Sequence, residues 1–140
     1  MLRPTSTQWA VMDVFGLQVA YQAGIFSVDD GPSTQGAGRR LTTSDGTAGF
    51  IFFTVSNDEH FTPRSFVNER LSVRPEQIDY KVMSDRFVIV SGVRGEDVYY
   101  TRCNFPSGAE GPIHCIYLAY DKREKWWWDT IVTRMSRTLR

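Results

Sequence analysis

From Ile78 to Tyr120 the chain is written almost entirely in strand language: "IDYKVMS", "RFVIVSGV", "DVYYTRCNF" and "IHCIYLAY". Each segment is short, rich in β-branched and aromatic residues, and bounded by turn formers: Ser84-Asp85, Arg94-Gly95 and the stretch "PSGAEGP". Connections this short can only join antiparallel neighbours, because a parallel return needs a crossover of a dozen residues or more. The pattern therefore predicts four strands in a meander. A sheet of that size must cover at least one face, so the remaining elements are constrained to be its covering layers.

Upstream, "FGLQVAYQAGIFSVDDGPS" reads as short extended pieces interrupted at Gly16, Gly24 and Gly31-Pro32, and "TQGAGRR" as a flexible connection. "RRLTTSDGTAGFIFFTVSN" predicts a hairpin turning at Ser44-Asp45-Gly46, and its second arm is apolar enough to be covered on both faces. In "FTPRSFVNERL", Thr62 can cap a short helix, Pro63 suits its first position, and Phe61 can staple onto Phe66. A second helix is expected from Asp121, with Glu124 three residues on, to the C-terminus. These elements predict residues 1–11 as a flexible arm and 12–140 as a single α+β domain, an antiparallel meander sheet with helices packed on it.

The last helix begins with "KWWWD", and a helix advancing 100° per residue cannot bury three neighbouring rings. With Ile131 at zero, Trp128, Val132, Met135 and Leu139 fall within roughly 100° of it and form one stripe. Trp127 flanks that stripe. Trp126 falls on the opposite side with Asp129, Thr130, Thr133 and Arg137. Trp128 is thus expected in the core and Trp126 in solvent, either as a plain surface aromatic or, with Arg137, as part of an interface with a partner or a second copy.

Cys103 and Cys115 flank "NFPSGAEGPIH". A hairpin centred on Ala109 places them directly opposite, at the roughly 4.5–5.5 Å Cα separation of cross-strand pairs, which a disulfide can span. Two buried thiols are the alternative; the register favours the bond, and with it an oxidising compartment.

Sixteen basic and sixteen acidic residues cancel, so no overall field recruits nucleic acid. No apolar run approaches the roughly 20 residues of a membrane span, and "MLRPTSTQWAVMDVF" holds no apolar signal segment. Ser91, His60 and His114 lack the elbow of a serine hydrolase, and two histidines with two cysteines do not compose a metal cage. No catalytic residue, metal or cofactor is expected. The combination of Arg86, Arg94 and Arg102 with Tyr99 and Tyr100 is different, because basic and aromatic side chains on one sheet can hold an anion or a peptide. Arg94, Tyr100 and Arg102 are the candidate ligand residues.

The same C-terminal segments, with the closing "WDTIVTRMSRTL", resemble an uncharacterised domain of bacterial envelope and secreted proteins. Its pattern is a Tyr-Lys strand, a Phe-Val-x-Ser-Gly strand, a Tyr-Tyr-x-Arg-Cys strand and a Trp-Asp-x-Ile-Val-x-Arg helix. The resemblance spans about residues 12–139. Trp126, Trp127, Thr138 and the Tyr120-Asp121 pair depart from the pattern. It implies an α/β/α sandwich like the PsbP protein of photosystem II and the Ran-release factor, acting as a scaffold for protein contacts. The expected function is a non-enzymatic protein-interaction module of the cell envelope, periplasmic or secreted, with a cytoplasmic location left open. The alternative is a small-ligand or peptide-binding domain with a groove between sheet and helix.

Overall fold

A computed structural model describes residues 8–71 and 75–140. Among these residues, nine strands form two antiparallel sheets, and two α-helices accompany them. β1 (Trp9–Val14) and β2 (Leu17–Gln22) form a two-stranded sheet. The other seven strands are β3 (Val28–Pro32), β4 (Ala37–Thr42), β5 (Gly49–Val55), β6 (Tyr80–Met83), β7 (Phe87–Arg94), β8 (Asp97–Asn104) and β9 (Ile113–Asp121), in the spatial order β3-β4-β5-β9-β8-β7-β6. The helices are α1 (Pro63–Glu69) and α2 (Lys125–Thr138).

The expected helix-packed α/β/α sandwich of α+β class is not what forms. The architecture is a β-rich sandwich. On one face of the large sheet, Leu17 and Val19 of β2 pack with Phe50, Phe52, Ile116 and Leu118, so a second sheet shares the covering layer with α2. On the other face the only α-helix among the described residues is α1, seven residues long. The reason lies in the alternation that opens "LQVAYQ": Leu17 and Val19 are buried on either side of exposed Gln18, and such a strand needs an apolar sheet beneath it, which β5 and β9 supply.

Two segments read as irregular are strands. Trp9, Ala10 and Val11, placed in the loose arm, open β1, which turns into β2 through Phe15 (φ 52°) and Gly16 (φ 83°). Ala37 and Gly38, placed in a flexible connection, open β4 ahead of Arg39 and Arg40, where the expected hairpin begins. Gly38 is there for close approach: a Cβ at that position would lie 1.8 Å from the carbonyl oxygen of Phe52. Residues 1–7 of the expected arm lie outside the described residues.

Elsewhere local chemistry and structure agree. Thr62 caps α1 in a reciprocal box with Ser65, Pro63 takes the first position, and the Phe61 and Phe66 rings meet edge to face at 5.8 Å. The helix expected from Asp121 starts instead as a short 3-10 turn, where Asp121 accepts from the Arg123 amide, and becomes α2 at Lys125. Cys103 opposes Cys115 in the β8–β9 ladder and the two are disulfide-bonded, with Cα atoms 4.1 Å apart. β5 is buried on both faces, with Phe50 and Phe52 in one core and Phe53 in the other.

Candidate functional site

Strand pairing decides which side chains can share a site. In the β6–β7–β8 ladder, Tyr80 opposes Ser91 and Ser91 opposes Tyr100. One row along, Val82, Ile89 and Arg102 align. These residues project to the face that carries α2. The helix lies over β8 and β9, where Trp128 meets Tyr120 (ring centroids 5.5 Å apart) and Phe26 (5.4 Å). β6 and β7 are left beside it as the floor of a groove. A cavity of about 480 Å³ results, walled by Lys125, Asp129, Thr133, Ser136 and Arg137 of α2 and floored by Tyr80, Ser91, Tyr100 and Arg102.

The polar groups inside it are arranged around Ser136, which is 2% exposed. The Tyr100 hydroxyl donates to Ser136 Oγ at 2.6 Å and Arg102 Nη1 donates to the same oxygen at 3.3 Å. Arg102 Nε donates to Asn104 Oδ1 at 2.8 Å, and its guanidinium lies over the Phe87 ring at 4.3 Å. Three neighbours thus hold a half-buried cation in place, and none of them carries a negative charge. Burial pulls the Arg102 pKa down and pushes that of Tyr100 up; for Tyr100 the Ser136 hydrogen bond and the Arg102 and Arg137 charges oppose the rise. Tyr120 is pushed up as well, by burial first and by the nearby Asp129 carboxylate. At the other end of the wall Lys125 and Asp129 pair with each other at 2.7 Å.

The sequence candidates are divided by the sheet. Tyr100 and Arg102 stand side by side in the groove, and Arg137, expected on an outer interface, lines it too. Arg94 projects to the opposite face, where it covers the buried Tyr99 ring at 4.6 Å and borders a second cavity beneath α1. Arg86 donates to the Pro106 carbonyl in a loop. Trp126 is 75% exposed on the outer face of α2. Sequence reasoning passed over Tyr80 and Ser136, and weighed Ser91 only as a nucleophile. Strand alternation could have put Tyr80 and Ser91 on the face of Tyr100, though not opposite it, and the i+4 spacing from Val132 could have found Ser136.

The residues weighed for catalysis are occupied structurally. Ser91 Oγ donates to the Tyr99 carbonyl at 2.8 Å. His114 is buried with Nδ1 2.9 Å from the Arg140 carbonyl oxygen, and His60 Nδ1 is 3.2 Å from that of Ala109. Among the described residues no helix is long and apolar enough to cross a membrane. Compared with known proteins, the chain matches no family model, and no curated protein matches it.

Proposed function

We propose that this chain is a non-enzymatic binding domain of the cell envelope, and that it holds a small ligand or a short peptide of a partner protein in the groove between β6–β8 and α2. One observation carries the reading: Arg102, Arg137, Tyr100 and Ser136 converge on a walled space whose floor is kept low by Ser91. Pockets that bind small molecules combine such a preformed concavity with a few convergent polar groups. The Cys103–Cys115 bond and the envelope-domain resemblance support an oxidising compartment, periplasmic or secreted.

Amide-shift mapping with a mixed set of small acids, small amines and short peptides tests the site. Perturbations are expected on Tyr80, Ser91, Tyr100 and Ser136, and Ser91→Trp, which fills the floor, is expected to erase them while the fold persists. Perturbations gathered instead around Trp126 and Thr130 would move the working surface to the outer face of α2. That outer face is the second reading, favoured by the exposure of Trp126: a protein-contact or self-association surface.

A further inference from the structure

We propose that the group held in the groove is a carboxylate, gripped by Arg102 and Arg137, with a flat apolar part of the same molecule lying over Ser91 between Tyr80 and Tyr100. The proposal rests on the reading of the groove as the binding surface and adds the chemical class of the ligand.

The argument begins with unspent charge. A guanidinium offers five N–H donors. Arg102 directs two of its donor nitrogens at neutral oxygens, Asn104 Oδ1 and Ser136 Oγ, and forms no ion pair among the described residues. A half-buried cation held by neutral groups is costly to keep unless an anion completes it. Arg137 faces the same space from α2 and likewise forms no ion pair among the described residues.

The charge balance then selects the anion. Arg102, Lys125 and Arg137 line the groove against Asp79 and Asp129, a surplus of one positive charge. Lys125 and Asp129 neutralise each other, which leaves two guanidiniums with Asp79 as the one remaining acid among the lining residues. A single negative charge balances this site. A phosphate dianion would exceed the surplus by one charge, whereas a carboxylate matches it, and the planar fork of arginine can hold a carboxylate through two bonds.

The floor selects the remainder of the ligand. Tyr80, Ser91 and Tyr100 are consecutive cross-strand partners, so the two aromatic residues stand roughly 10 Å apart across a small side chain. That spacing leaves a slot for a flat group beside the guanidiniums.

The test uses four probes on the intact chain: N-benzoylglycine, its primary amide, the tripeptide acetyl-Gly-Gly-Phe with a free C-terminus, and inorganic phosphate. Groove amide shifts give the affinities. Both carboxylates are expected to bind, and the amide roughly tenfold more weakly or worse, since a hydrogen-bonded charge is worth about that factor. Tighter binding of the tripeptide would identify a peptide C-terminus as the source of the carboxylate, and tighter binding of benzoylglycine a free acid; either supports the class. Arg102→Gln and Arg137→Gln should each weaken the acids by about the same factor and leave the amide unchanged. Arg137 is exposed on a helix, so its variant remains informative even if Arg102→Gln disturbs the fold. Equal binding of acid and amide, or phosphate binding above both acids, overturns the carboxylate and leaves the groove standing. If no probe, charged or neutral, perturbs the groove, both readings fall.

Discussion

At the scale of single residues, the three tryptophans show how position on a helix separates identical side chains. Trp128 is fully buried among Phe26, Tyr120 and Trp127, while Trp126 two residues away is exposed. Removing a buried indole leaves a cavity that the surrounding rings cannot close, so Trp128→Ala should lower unfolding stability by about 3–5 kcal/mol. Trp126→Ala should stay within about 0.5 kcal/mol, as surface changes do. Denaturant titrations of the two variants check this, and equal losses would contradict the phase of α2. If the outer-face reading holds, Trp126→Ala should also shift sedimentation toward monomer or weaken capture of a partner, at unchanged stability.

At the scale of elements, the β8–β9 hairpin and the start of α2 each carry a local device. Cys103 and Cys115 close a short loop, and cross-linking a loop of this size removes unfolded-state entropy worth about 3 kcal/mol. Reduction should lower stability by about that amount, and intact mass with alkylation, before and after reduction, should show no free thiol in protein made under oxidising conditions. Two thiols that alkylate without reduction would contradict the bond. At the start of α2, Asp121 receives Arg123 through both its side chain and its amide, which lowers its pKa to about 2. A carboxylate depressed on folding stabilises the folded state above its ordinary range, and that contribution disappears as pH falls through about 2. An NMR titration should place the Asp121 midpoint near that value, and Arg123→Gln should raise it toward the usual range. An ordinary midpoint in the unsubstituted chain would remove Asp121 as the device at this junction.

At the scale of the whole molecule, no strand pairing among the described residues joins the β1–β2 sheet to the larger one. Their apolar faces meet in the core, and the end of the chain ties them together. Arg140 exchanges backbone hydrogen bonds with Gln18 at 2.8 and 3.1 Å, and Thr138 Oγ1 accepts from the Ala20 amide at 2.9 Å. From the large sheet, Asn104 Nδ2 donates to the Leu139 carbonyl at 2.8 Å and His114 Nδ1 approaches that of Arg140. Each such bond is worth about 1 kcal/mol net. A chain lacking residues 138–140 should exchange the Gln18 and Ala20 amides at least roughly tenfold faster, while Phe52, Ile116 and Leu118 remain protected. Unchanged protection at Gln18 would mean that core packing alone holds the hairpin.

The sequence by itself determined whatever depends on neighbours along the chain. The four strands from Tyr80 to Asp121, the Thr62 cap, the opposed cysteines and the phase of α2 all follow from period, turn chemistry or capping. Tertiary structure decided the rest. Ala37 and Gly38 extend β4 beyond the expected hairpin arm because β5 offers an edge to pair with, and "LQVAYQ" becomes a covering layer only because an apolar sheet lies beneath it. The groove turned on two residues of register. Hairpins turning at Ser84-Asp85 and Arg94-Gly95 would set Ile89 between Tyr80 and Tyr100. The β7–β8 loop instead consists of Gly95 and Glu96, β6 and β7 are offset in the same sense, and Ser91 takes that place. The shift is even, so every side chain keeps its face, and no hydrophobic pattern could have revealed it. Arg94 falls on the far face of the sheet, as alternation along β7 already required, whereas Arg137 shares the groove with Arg102 only because α2 lies across β8.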